Sequence, residues 1–207
     1  MKRTIVFLLG TLAILTIGVL PTKAGVLIEA EEVVNFYQGR NGVEERHDVV
    51  FSISGSLNTT ALTFRALVGG IPGVAPRVGE ISTGGNWDMY EGVVGPTSFG
   101  TGLNNFNAMA VGSPFTLSGR LGQVYLPRGY LSDSPLSAEL TVMNTSFVAL
   151  GIDVNRSPFQ WSVPSGDMIT LSIIPEPSAA VLLFLGIGSL FLLRRWKREG
   201  YVAGLAH

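Results

Sequence analysis

The stretch His47-Asp48-Val49-Val50-Phe51-Ser52-Ile53-Ser54-Gly55-Ser56-Leu57 decides the fold class. Val49, Phe51, Ile53 and Leu57 fall on one face of an extended chain, and Val50, Ser52, Ser54 and Ser56 on the other. A strand with one side in a core and the other toward water needs this alternation. Working outward, short runs of strand-forming residues cover 26–34, 61–68, 87–94, 115–118, 123–126, 138–142 and 168–174. Gly, Pro, Asn, Ser or Asp bound each run, favouring turns through unusual dihedrals or competing hydrogen bonds. Between residues 25 and 174 no stretch carries a helical period and no internal repeat is found. Glycine-rich 69–85 and 95–112 read as long loops or irregular edges. The expectation is an all-β ectodomain over 25–174, a β-sandwich or jelly-roll-like module.

Of the 207 residues, 46% are hydrophobic and 14% charged, and the apolar excess sits at the two ends. Within 25–174, thirteen acids face seven arginines and no lysine, although the whole chain has a net charge of only -1. An acidic domain without a basic stripe cannot neutralise phosphates, which argues against nucleic acid and anionic lipid as partners. The chain has no cysteine. Thiol catalysis, cysteine-based zinc sites and disulfide staples are therefore excluded, and a domain of this size must rely on its core.

Met1-Lys2-Arg3 gives a basic start, residues 4–20 an apolar run, and Pro21-Thr22-Lys23-Ala24 a break with small residues two apart. That order reads as a secretory signal peptide over 1–24, cleaved after Ala24; an uncleaved anchor would use the same run. At the other end, Pro175-Glu176-Pro177 makes a stiff extended connector, because two prolines fix the backbone and withhold donors. Ser178 can cap the helix that follows. Residues 179–193 are an uninterrupted apolar stretch. As a helix it would cover about 22 Å, short of a hydrocarbon core of roughly 30 Å. Trp196 and the flanking arginine stems can extend it at the interface. Arg194, Arg195, Lys197 and Arg198 then form a basic stop, which the positive-inside rule keeps in the cytoplasm with residues 199–207.

A Pro-Glu-Pro motif, a short apolar span and a tight basic cluster in this order resemble the PEP-CTERM sorting signal of exopolysaccharide-producing Gram-negative bacteria. On this resemblance, residues 175–198 are the signal: Pro175, Glu176 and Pro177 the recognition motif, residues 179–193 the membrane span, and Arg194, Arg195, Lys197 and Arg198 the basic stop. It implies an exosortase, a membrane-embedded transpeptidase-like protease, as a partner. It also implies at least transient residence in the inner membrane with a periplasmic ectodomain, followed by the cell surface or extracellular matrix. The tail runs on to His207, somewhat beyond the family's usual ending. Residues 28–33 and 48–58 look like the opening of an ectodomain type common among such proteins, which carries no known activity.

The search for chemistry is sparse. The two histidines are His47 and His207, so a Ser-His-Asp arrangement would need His47, and no Gly-x-Ser-x-Gly elbow is present. His47 reads as a solvated residue entering a strand. Asp88, Glu91, Glu29 and Glu31 are carboxylates available for glycoside hydrolysis, yet their spacing does not mark them off from surface acids. No EF-hand-like loop appears, and no metal or cofactor is expected. Trp87, Tyr90, Phe99, Phe106, Tyr125, Tyr130 and Trp161 are either core aromatics or sugar-stacking ones. Trp87, Asp88 and Tyr90, after the turn residues Gly84-Gly85-Asn86, are the best candidates for a sugar contact. Asn58-Thr59-Thr60 and Asn144-Thr145-Ser146 match a glycosylation acceptor pattern, incidental in a bacterial protein. No catalytic residues emerge, and the expectation is a non-enzymatic structural or adhesive protein of the envelope or exopolysaccharide matrix. A carbohydrate-binding module and a surface hydrolase are the alternatives.

Overall fold

The alternating stretch forms most of strand β2 (Gly42–Ser56), with Val49, Phe51 and Ile53 buried and Ser52 and Ser54 exposed. The computed structural model describes residues 25–39 and 42–174. The anticipated signal peptide, Pro-Glu-Pro motif, membrane span and basic stop lie outside the described residues. No helix among those described is long and apolar enough to cross a membrane.

Strand β2 lies inside a six-stranded sheet with β1 (Gly25–Gly39), β5 (Ala108–Gly112), β8 (Pro135–Val142), β9 (Phe159–Ser162) and β10 (Met168–Ile174), ordered β5-β8-β2-β1-β10-β9. Within it β10 runs parallel to β1, from Gly25 opposite Met168 to Glu31 opposite Ile174; the other pairings are antiparallel. A four-stranded sheet holds β3 (Thr63–Ala75), β4 (Glu80–Glu91), β6 (Thr116–Ser118) and β7 (Gln123–Pro127). Both sheets contribute to one core. Val26, Ile28, Phe51, Leu140, Ile169 and Leu171 enter it from the first, and Val74, Ile81, Leu117, Val124 and Leu126 from the second. The described fold is all-β, as the alternation required; the one α-helical turn among the described residues is α1 (Phe147–Leu150), capped by the Ser146 hydroxyl, which accepts from the Ala149 N–H at 3.1 Å.

Two features place side chains for function. First, β1 and β2 stay paired out to Gly39 opposite Gly42, whereas β10 leaves β1 at Glu31 and β8 leaves β2 at Val49. Residues 32–39 and 42–48 therefore continue as a two-stranded ribbon of roughly 25 Å, without a third strand on either edge among the described residues. Second, β4 pairs with β6 through residues 80–82 and with β7 through residues 87–91, while β6 and β7 pair with each other. One strand can close such a circuit only by bending sharply between its halves. Gly84 and Gly85 sit at that bend with φ of 76° and 114°, values that a Cβ disfavours.

The expectation of irregular chain over 69–85 is thus corrected. That segment is the end of β3, a 3₁₀ turn at Pro76–Val78 and the start of β4, and its glycines bend a sheet. Residues 95–112 are largely irregular as expected, but their end forms edge strand β5; β9 was not anticipated. Gly84→Ala would place a Cβ 2.8 Å from Pro72 Cδ and 2.9 Å from its nitrogen. It should lower unfolding free energy by about 2 kcal/mol or more in urea denaturation, because left-handed backbone strain adds to the clash.

Candidate functional site

The base of the ribbon and the segment before α1 enclose an open cleft of about 480 Å³, lined by Glu32, Glu45, Arg46, His47 and residues 144–146, 148 and 149. Strand register builds it. Glu32 faces Val49 across the β1–β2 pairing and His47 lies two residues earlier, so Glu32, Glu45 and His47 share a face beyond the last core residues. His47 Nδ1 lies 2.7 Å from Glu32 Oε1, and Nε2 lies 2.9 Å from Glu45 Oε1. The other Glu32 oxygen accepts the Phe147 N–H at 2.9 Å, tying the start of α1 to the ribbon. The Glu32 hydrogen bond, reinforced by Glu45 and opposed by partial desolvation, raises the His47 pKa above its ordinary value.

On the opposite face Asp48, nearly buried, gathers four donors. Arg46 Nε and Nη2 donate at 2.8 and 3.0 Å, the Asn144 N–H at 2.9 Å and Asn35 Nδ2 at 3.0 Å. The Arg46 contact, with the Asn144 and Asn35 bonds, outweighs burial and holds the carboxyl below the usual range. Adjacent in sequence, His47 and Asp48 project from opposite faces of β2, so no Asp-His relay forms between them. Sequence reasoning found His47 but missed its partner Glu32. Asn41-Gly42 between two strand-forming runs is a hairpin signal that would have brought the two segments together.

The sugar-contact candidates Trp87, Asp88 and Tyr90 all lie on β4, but the structure does not bring them to one surface. Trp87 is only 4% exposed, its ring against Gly70 of β3 and edge-on to Tyr125 at 5.9 Å. A ring so enclosed offers no open face for stacking. Asp88 and Tyr90 point the other way, as residues opposite Leu126 and Val124. Asp88 Oδ2 accepts the Gly129 N–H at 2.7 Å, and Tyr90 packs against the core and, edge-on at 5.8 Å, Phe64. Trp87 Nε1 and Asp88 Oδ1 are buried without hydrogen-bond partners.

The Trp87 face of the sheet instead presents Met89, Glu91, Gln123 and Tyr125, in cross-strand register on β4 and β7. The Tyr125 hydroxyl donates to Gln123 Oε1 at 2.7 Å, Gln123 Nε2 donates to Glu91 Oε1 at 3.0 Å, and Arg65 Nε donates to Glu91 Oε2 at 2.6 Å. Arg65 and Gln123 hold the Glu91 carboxyl below its usual value. Burial, together with the charges of Glu80 and Glu91, pushes the Tyr125 phenol up, and burial pushes Glu80 up. Glu29 and Glu31 project from the exposed face of β1, apart from both groups. Among the described residues, no three His, Asp or Glu side chains are grouped to hold a metal ion.

No family model matches the chain, and neither a curated protein nor a solved structure shows significant similarity to it.

The raised His47 pKa gives stability a definite pH dependence. Its contribution is fully present below the unfolded value of about 6.5 and is lost as pH rises through the higher folded value. His47→Gln should therefore lower the urea midpoint at about pH 5.5 and leave it nearly unchanged at about pH 9. Equal losses at both would show that packing, not charge, ties down the ribbon. Trp87→Ala should cost about 3 kcal/mol in the same assay, the result expected of a buried ring.

Proposed function

We propose that the chain is an exported, non-enzymatic protein, sorted by an exosortase to the cell envelope or exopolysaccharide matrix, where its β-sandwich domain serves a structural or adhesive role. One observation carries this reading: Pro175-Glu176-Pro177, the apolar span over 179–193 and the basic stop at Arg194, Arg195, Lys197 and Arg198 occur in the order that resembles a PEP-CTERM signal. The signal-peptide pattern over 1–24 agrees with it, because export precedes sorting.

The non-enzymatic part of the reading is supported by the bonding of the single described histidine. Both ring nitrogens of His47 are engaged by carboxylates, and no hydroxyl bonds to either. In this arrangement neither ring nitrogen is placed to take a proton from a serine hydroxyl.

Expression of the full chain with and without an exosortase tests the sorting claim. Exosortase should yield a mature species ending near Pro175–Pro177 by mass spectrometry, with loss of the membrane-held form. Identical mass and membrane residence in both backgrounds would sink the proposal.

A further inference from the structure

We propose that the outward face of β4 and β7, centred on Tyr125, Gln123, Glu91 and Arg65, is a binding site for hexose units of a neutral glycan. This inference deepens the reading of the domain as a matrix protein and rests on it for the source of the ligand, while its geometry stands apart from the sorting tail.

The chain Tyr125–Gln123–Glu91–Arg65 joins a phenol, an amide, a carboxylate and a guanidinium through three hydrogen bonds, each between 2.6 and 3.0 Å. Three of these groups, the amide, the carboxylate and the guanidinium, carry paired hydrogen-bonding atoms in one plane. Each can pair with two neighbouring hydroxyls, which a pyranose ring presents around its edge. Their mutual bonds fix their orientation before a ligand arrives, so little side-chain entropy remains to be lost on binding. Gln123 and Tyr125 stand two residues apart on one strand face, about 7 Å, the scale of a single sugar ring.

The layer beneath is built rather than incidental. Trp87 holds the Tyr125 ring edge-on, and Met89 lies opposite Tyr125 in the next strand. On the same face Ser82, Thr116 and Ser118 are buried, with the Thr116 hydroxyl donating to Ser82 Oγ at 2.8 Å. Tyr125 feels the charges of both Glu80 and Glu91, although these residues lie at opposite ends of β4. Pairing of both ends of β4 with the β6–β7 hairpin brings them to one side of the bent sheet, Glu80 opposite Ser118, Ser118 opposite Gln123 and Gln123 opposite Glu91. Tyr125, Gln123, Met89 and Glu91 remain half-buried, and Arg65 is exposed, so the groups are reachable from solvent.

Charge selects the ligand class. Arg65 is neutralised by Glu91, and Glu80 brings a further acid whose charged form burial disfavours, so the group itself offers an anionic polymer no cation that is not already paired. A neutral polyol needs none.

The full-length chain, kept soluble in a sugar-free detergent, is equilibrated with beads carrying dextran, mixed-linkage β-glucan or alginate, and the bound fraction is measured. At least one neutral polymer should retain the wild type, and alginate should not exceed it. Gln123→Ala and Tyr125→Phe should each weaken that retention about tenfold, while Glu45→Gln in the distant cleft should leave it unchanged. Urea midpoints of the variants separate lost binding from lost folding, and a conservative Gln123→Glu provides a second test if the alanine variant unfolds. Absence of retention on both neutral polymers overturns the site. So does retention that the Tyr125 and Gln123 variants share with wild type, an outcome that leaves matrix binding intact but places it elsewhere. Exosortase-dependent processing without retention would keep the sorted-protein reading and remove this site. Retention lost in the variants but without processing would do the reverse.

Discussion

Parallel pairing of β10 with β1 is the constraint on which the other contacts depend. It joins the two ends of the described domain, so the whole intervening chain must close as one large loop before this pairing forms. Loop-closure entropy rises only logarithmically with length, but nothing local offsets it, and there is no disulfide to help. Compensation comes from the core: Ile28 and Ile169, on neighbouring strands, are both fully buried, as are Phe51 and Leu140 on the far side of β1. Burying each such side chain contributes about 1.5–3 kcal/mol. The same pairing sets Ile174 beside Glu31, one residue from the carboxylate that holds His47 and α1.

Curvature in the second sheet follows from a different economy of residues. A straight β4 could pair with β6 or with β7 along its length, not with both ends of their hairpin. Gly84 and Gly85 allow it to turn, and Gly70 opposite Gly85 leaves room for the Trp87 ring. The bend changes which parity faces the core: Ile81 points inward before it and Asp88 and Tyr90 after it. Without the glycine pair, Trp87 and Tyr125 would not share a face of the sheet with Ser82 and Thr116.

Legibility in the sequence tracks the range of the interaction that fixes each feature. Alternation at Val49, Phe51 and Ile53 is local, and it correctly gave the buried face of β2. Glycine-rich 69–85 reads as a loop because, taken one at a time, glycines weaken strands; their use at a bend appears only when β4 is paired on both sides. Short Ala108–Gly112 and Phe159–Ser162 become strands because β8 and β10 offer them edges, which no local pattern encodes. Trp87-Asp88 as a joint sugar contact fails on a rule that was available from the start, since neighbours on a strand point to opposite faces. Tyr125, Gln123 and Arg65 could not be grouped in advance. Arg65 and Glu91 are brought together by a pairing with a register shift between Phe64 and Ala66, and Gln123 by a third strand.

The acid surplus of the domain has a physical use that requires no ligand. The ribbon of residues 32–39 and 42–48 exposes two strand edges among the described residues, and it carries exposed apolar groups at Phe36 and Val43. Two such edges invite pairing with another copy. Glu44 and Glu45 along one strand and Glu31 and Glu32 at the base of the other place like charges where a second ribbon would approach. Repulsion across directly opposed acids disfavours that register. Within the chain His47 lies between Glu32 and Glu45, so its positive charge, when protonated, offsets their mutual repulsion. Acidity on the ribbon thus has a role of its own, setting like charges where another strand would approach.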